Sequence, residues 1–250
     1  MNPALETQGL VMRFGGVMAM NNVSLTLARG ARHALIGPNG AGKTTLVNLL
    51  AGVLQPSSGR VLLDGEDITA LAQHRRVKRG LVRTFQINQL FPALSPLEAV
   101  TLALCERDGL AVRWWRPVCR HGAVLDEAAG LLRRLGLDAE MRVETRRLAY
   151  GKQRLLEIAL ALALRPRVLL LDEPAAGVPP EESREVLATL SRLPADVTVL
   201  LIEHDMDLVF RFAERISVLV NGALLVEGTP DDVARDRRVR DVYLGETFHG

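Results

Sequence analysis

The sequence predicts an α/β protein interrupted by an inserted α-helical segment, and three observations lead there. The runs "RVLLLDEP" and "DVTVLLIEHD" are continuously apolar and end in carboxylates or histidine. Such runs belong to strands buried on both faces, as in parallel sheets. "HALIGPNGAGKTTLVNLLAG" reads as strand, glycine-rich loop and helix in succession. From about Glu98 to Leu164 the hydrophobic period becomes that of a helix.

Taken in order, residues 5–35 alternate apolar and polar in short runs with "NN" and "ARG" punctuation, and read as strands joined by turns. "RVLLDGEDIT" predicts a hairpin around Asp64-Gly65, and "RISVLVNGALLVEGTP" a closing one around Asn221-Gly222. Within the helical stretch, "LDEAAGLLRRLGL" places Leu125, Ala128, Ala129, Leu132 and Leu135 on one face. "RDGLAVRWWRPVCRH", with Trp114 and Trp115, reads as a packed surface connection or as a contact for a partner or lipid surface. "RRLAYGKQRLLEIALAL" starts a strongly apolar helix near Gly151 without Ser, Thr, Asp or Asn in the capping place. Uncapped N–H groups at a helix start attract anions, so this terminus asks for one.

Composition narrows the class. Of 250 residues, 48% are hydrophobic and 24% charged, the balance of a soluble globular protein. Aromatics are only 4%, so Leu, Val, Ile and Ala must build the core. A net charge of +2 gives no argument for nucleic acid as a partner. Cys105 and Cys119 form no CxxC pair and have no histidine at ligand spacing, and read as free thiols in a reducing compartment. No basic-then-apolar leader opens the sequence, and no stretch reaches the roughly 18 apolar residues of a membrane span.

"GPNGAGKT", Gly37 to Thr44, matches GxxxxGK[ST] in its proper place between strand and helix. Glycines at 37, 40 and 42 let backbone N–H groups curl round phosphate oxygens, where a Cβ would intrude. Pro38, Asn39 and Ala41 complete the loop, and Thr45 follows it. Lys43 places a compact charge on the β- and γ-phosphates, and Thr44 offers its hydroxyl to Mg²⁺. The bland alternative is a glycine turn without ligand. Asp172, ending an apolar strand, suits a magnesium shell, and the adjoining Glu173 is the candidate general base toward water. A plain helix cap is the alternative for this carboxylate pair.

Three further elements complete an order: Gln86 in "RTFQ", the helix starting at Gly151, and His204 after "VTVLLIEHD". The order phosphate loop, Gln, glycine-start helix, Asp-Glu, His resembles the ATP-binding subunits of ABC transporters over nearly the whole chain. "LAYGKQR" stands in the place of that family's LSGGQ signature, "RTFQ" looks like its Q-loop, "RVLLLDE" its Walker B strand and "IEHD" its switch-histidine loop. Phe14 lies 29 residues before Lys43, where the family stacks an aromatic on adenine. "DEPAAG", "LLIEHDM", "RTFQ…LFP" and "VYLGE" are similar to ATPases of the branched-chain amino acid importer subfamily. Closely similar proteins import urea, short amides or aromatic acids.

The resemblance implies an α/β fold, a P-loop NTPase (RecA-like) core with an antiparallel β subdomain and an inserted α-helical subdomain. It implies one ABC ATPase domain over 5–250, with nucleotide-binding α/β core and β subdomain in 5–86 and 165–250, and the signature-bearing helical subdomain in 87–164. It implies ATP and Mg²⁺, with Thr44, Gln86 and Asp172 around the metal and Lys43, Gln86, Glu173 and His204 in catalysis. Two ATPase subunits, identical or paralogous, would pair head to tail, so that Ala149, Tyr150, Gly151 and Lys152 of one reach the nucleotide of the other. The helical insert would swing to close that pair. Two membrane permeases, and indirectly a solute-binding protein, would be the other partners, at the cytoplasmic face of the inner membrane.

The sequence departs from the family at three places. Ala149 replaces the signature serine, removing a hydrogen bond to a charged group worth about 1.5–3 kcal/mol. Lys152 replaces glutamine, either drawing phosphate or lying plainly on the surface. Pro179 replaces the Asp or Asn of the D-loop and offers neither carboxylate nor N–H. These favour a distinct second ATPase and unequal composite sites. A low-turnover regulatory subunit, a soluble non-transport ABC ATPase and a P-loop phosphotransferase are the rival readings.

Overall fold

In the computed structural model, residues 2–84, 90–110 and 122–246 are described, and contacts divide the chain into two units. The chain-order elements begin with β1 (Leu5–Phe14), β2 (Val17–Val23), β3 (Thr26–Leu27), β4 (Arg32–Ile36), α1 (Lys43–Ala51), β5 (Ser58–Leu63), β6 (Glu66–Asp67), α2 (Gln73–Lys78) and β7 (Leu81–Arg83). The helices α3 (Pro96–Arg107), α4 (Gly122–Arg134) and α5 (Tyr150–Ala163) follow, then β8 (Val168–Asp172), α6 (Pro180–Leu190), β9 (Thr198–Ile202), α7 (Met206–Phe212), β10 (Arg215–Val220), β11 (Ala223–Gly228), α8 (Pro230–Arg235) and α9 (Arg237–Glu246).

The first unit, residues up to Arg83, 167–173 and from 194 onward, holds two sheets. One follows the order β2-β1-β5-β6, with β3 also on β1, and every pairing is antiparallel. The other runs β11-β10-β4-β9-β8-β7, parallel except for the closing hairpin β10-β11. Every residue of β8 and β9 is buried, as their unbroken apolar runs require. Alternation along β4 sends Leu35 to a core shared with α1 and the antiparallel sheet, and Ala34 and Ile36 to a second core under α7, α8 and α9. Both expected hairpins form: Asp64 and Gly65 (φ 55° and 85°), like Asn221 and Gly222 (φ 48° and 75°), take the left-handed pair of dihedrals that a two-residue turn demands. The C-terminal end of α1 is held by Arg76, buried, whose guanidinium donates to the carbonyls of Leu49 and Leu50 at 2.7 Å.

One polar row is buried in this sheet. His33 on β4 meets the Ser217 hydroxyl of β10 at 2.8 Å, and that hydroxyl donates to Glu227 of β11 at 3.2 Å. Burial pulls the His33 imidazole from its ordinary 6.5 down to about 4, against the pull of Glu227 and with the push of Arg215. A folded pKa below the unfolded one means that the unfolded chain binds the extra proton first, so stability falls as pH drops from 6.5 toward 4. His33→Gln is therefore expected to shrink the stability lost between pH 7.5 and pH 5, in urea unfolding, by roughly 2 kcal/mol. An unchanged difference between the two pH values refutes this assignment.

The second unit, 84–166 with 174–193, is helical. α3 opens on a capping box, Ser95 with Glu98, and Pro96 in the first turn. On α4 the buried stripe is Val124, Ala128, Leu131 and Leu132, continued by Leu135, while Leu125 and Ala129 are only half-buried. The expected face is thus rotated, because Val124 and Leu131 outcompete Leu125 and Ala129 for it. Residues 174–193 group by contacts with this unit, although the segment 165–250 expected for the α/β core includes them. Trp114, Trp115 and Cys119 lie outside the described residues, and Cys105 is a buried free thiol.

Candidate nucleotide site

Register places the candidate residues of the first unit in one row. Leu35 of β4 pairs with Ile202 of β9, and Ile202 pairs with Asp172 of β8. Strands lie about 4.8 Å apart, so the phosphate loop after β4, Glu203-His204 after β9 and Asp172-Glu173 at the end of β8 leave the sheet side by side. A crevice beyond the carboxyl ends of parallel strands is where open α/β sheets bind ligands.

The loop's backbone follows from its glycines. Gly37, Gly40 and Gly42 have φ of 156°, 78° and 103°, and Gly42 caps α1 without a side chain. A Cβ on Gly37 would stand 2.1 Å from the Leu219 carbonyl oxygen. The closing hairpin braces the loop from outside: the Gly222 N–H donates to the Ala41 carbonyl at 2.9 Å. Lys43 is buried and its ammonium donates to the carbonyls of Gly37 (2.5 Å) and Pro38 (2.9 Å), which centres the charge in the loop. Thr44 faces solvent with Asn39 and Gly40, and Thr45 and Pro38 are half-buried. Phe14, at the end of β1, is 48% exposed and available to stack on a planar ligand.

Glu173 carries a feature invisible in the sequence, a φ of 47°. A non-glycine residue in the left-handed region costs about 1–3 kcal/mol and clusters at functional sites. Its N–H donates to the Ile202 carbonyl at 2.9 Å, which ties the strained residue to β9. The His204 ring, 65% exposed, has Nδ1 3.9 Å from Glu173 and 3.8 Å from Glu203. Glu203, 2% exposed, accepts from the His204 N–H at 3.2 Å and orients that loop. Nothing in the sequence marks Glu203, because a carboxylate beside a histidine looks like ordinary surface.

The signature segment lies in the second unit. Ala149 is the N-cap of α5 and makes no side-chain cap bond, as expected. An anion nevertheless occupies this terminus: the Gly151 N–H donates to the Glu182 carboxylate of α6 at 2.6 Å. The expected vacancy is thus filled from within the chain. Glu182 is free to turn this way because the N-cap of α6 is Pro179, which has no N–H for an acidic residue three positions on to accept from. Tyr150 accepts a hydrogen bond from Arg154, whose guanidinium also lies over its ring at 5.3 Å. The Lys152 ammonium pairs with Glu185 (2.7 Å) and the Gly136 carbonyl (2.9 Å). Gln86 lies outside the described residues.

Comparison with known proteins decides the class. The family model described as ABC transporter matches residues 20–176. The chain belongs to the ABC transporter family. It is an ATP-binding, ATP-hydrolysing member of the kind that the sequence resemblance implied. A second family model, the branched-chain amino acid ATP-binding cassette transporter, matches residues 223–249. The chain is 42% identical to the high-affinity branched-chain amino acid transport ATP-binding protein BraF of Pseudomonas aeruginosa, with 98% of each chain covered. It is 41% identical to LivG of Escherichia coli, a protein of the same description, again with 98% of each covered. Among solved ABC transporter structures, the ADP conformation of the cassette MJ1267 superposes with a TM-score of 0.85 at 30% identity, covering 98% of this chain and 100% of that one. The dimeric post-hydrolysis state of the cassette MJ0796, bound to ADP and Pi, gives 0.75 at 25% identity, covering 90% and 98%. Among the described residues, no helix of this ABC transporter protein is long and apolar enough to cross a membrane.

Proposed function

We propose that the chain is the ATPase subunit of an importer for branched-chain amino acids or a related small polar solute. It works peripherally at the cytoplasmic face of the inner membrane, with two separate permease subunits and, indirectly, a solute-binding protein. It pairs head to tail with a second ATPase, itself or a paralogue. Relatives named for branched-chain amino acid transport, alike over 98% of both chains, support the cargo class. The observation that carries the catalytic reading is the row in which β4, β9 and β8 deliver the phosphate loop, His204 and Glu173 to one sheet edge.

In this reading, residues 5–86 and 165–250 supply the nucleotide-binding part and 87–164 the signature-bearing part. Phe14 stacks on adenine, and Gly37 to Thr45 wrap the phosphates, with Lys43 moving from the loop carbonyls to the β- and γ-oxygens. Glu173 orients or deprotonates the attacking water, His204 steadies charge on the γ-phosphate, and Gln86 senses it. Gly151, flanked by Ala149, Tyr150 and Lys152, offers its N–H to the partner subunit's nucleotide. Thr44 and Asp172, with Gln86, would hold Mg²⁺, which supplies neutralisation of charge on the phosphates. One hydroxyl, one carboxylate and one amide oxygen form the sparse donor set that magnesium takes alongside phosphate and water oxygens.

The test is Glu173→Gln beside the wild type. The wild type is expected to hydrolyse ATP. The variant should lose about 100-fold or more of that rate and form an ATP-dependent dimer on a sizing column. A wild type without turnover, or a variant as fast as the wild type, would falsify the reading.

A further inference from the structure

Arg83 ends β7 three residues before Gln86, where no motif marks it. It is 9% exposed, and its guanidinium bridges two other elements. One nitrogen donates to Oδ2 of Asp172, on β8, at 2.6 Å, and the other to Oδ1 of Asn48, on α1, at 2.6 Å. Asp172 is 3% exposed, so its carboxylate has little water to compensate its charge, and the guanidinium does that work. Asn48 stands four residues beyond Thr44, on the same face of α1. One side chain therefore ties the strand that carries Asp172 to the helix that carries Thr44.

We propose that Arg83 is a positioning residue for the metal-binding pair. It fixes the rotamer of Asp172 by taking Oδ2, which leaves Oδ1 as the oxygen not committed to the guanidinium. Through Asn48 it also sets the spacing between β8 and α1, so that carboxylate and hydroxyl meet one metal–nucleotide together. The inference rests on the reading of Thr44 and Asp172 given above. Magnesium demands near-ideal octahedral geometry at short range, so a carboxylate free to rotate binds it worse. Partners that orient a metal ligand typically govern affinity by 10–100-fold. Arginine suits the task because its planar fork reaches two acceptors at once, and a lysine ammonium reaches them only as a point charge.

The experiment measures Mn²⁺ binding to the protein–ADP complex by electron paramagnetic resonance, and ADP binding in EDTA with a fluorescent analogue. Arg83→Gln is expected to raise the half-saturating Mn²⁺ concentration about 10–100-fold while metal-free ADP affinity stays within about twofold. Arg83→Lys, which keeps the charge beside Asp172, should recover part of that loss and serves if the glutamine variant fails to fold. If metal-free and metal-dependent binding weaken together, the residue is structural only and the proposal is overturned. An unchanged or tighter Mn²⁺ affinity overturns it as well. Asp172→Asn separates this failure from that of the underlying reading: if it too leaves Mn²⁺ binding intact, Asp172 is no ligand and both readings fall.

Discussion

Gly151→Ala is expected to lower steady-state ATP turnover by about 100-fold or more, the scale on which losing one preorganised donor to a transferring group is felt. A methyl here would stand 2.7 Å from the Glu182 carboxylate and 2.8 Å from the Glu182 Cβ. The carboxylate end can rotate away, but the Cβ moves only with α6 itself. The added carbon would also cover the N–H that the reading gives to the partner's nucleotide. Glu182→Gln is the companion measurement, because it keeps the shape and an acceptor but removes the charge. A carboxylate on this N–H competes with phosphate, and a charged acceptor outbids a neutral one by about 1 kcal/mol. In a Glu173→Gln background, Glu182→Gln should therefore lower the ATP concentration that drives pairing by about 5-fold. A higher requirement would mean that the carboxylate supports α5 and does not compete for its terminus.

Gly37→Ala should be the most destructive small change in the phosphate loop. Its Cβ would meet a backbone oxygen, that of Leu219, at 2.1 Å, and the Ala41 Cβ at 3.2 Å. No rotamer relieves a clash with main chain, so β4 and β10 would have to part. The expected cost is at least about 3 kcal/mol in urea unfolding, with loss of ATP binding. Gly40→Ala is the control. Its φ of 78° is also positive, but nothing lies within 4 Å of the added carbon. It should cost only the left-handed penalty of about 1–2 kcal/mol. Equal losses for the two variants would show that conformation, and not the wall formed by β10, sets the requirement at position 37.

What could be read from the sequence followed from local pattern. Strands buried on both faces, two-residue hairpins at Asp64-Gly65 and Asn221-Gly222, and a glycine loop between strand and helix all write their requirements into neighbouring residues. What could not be read joins residues far apart. Glu182 reaches Gly151 across 31 positions and Arg83 reaches Asp172 across 89. Neither glutamate nor arginine is unusual where it stands, and no spacing rule marks such pairs. Glu173 was legible as a carboxylate but its left-handed backbone was not, since that strain is imposed by the neighbouring strand. The face of α4 lies part of a turn from the one its pattern suggests, because Ala128 and Leu132 belong to both stripes and Val124 and Leu131 complete the one that is buried.

The pairing of β4 has a consequence for biosynthesis. Among the described residues its strand partners are β9 and β10, which follow it only after β7, the helical segments and β8 have been made. A ribosome that has released α1, or even the whole helical stretch, has therefore not yet supplied either flank for the glycine loop. The nascent polypeptide carries two bare strand edges until those late segments emerge, and such edges invite aggregation. Nucleotide can find a formed cradle only once β9 and β10 have been made, which makes ATP a late stabiliser of this protein and not an early template for it.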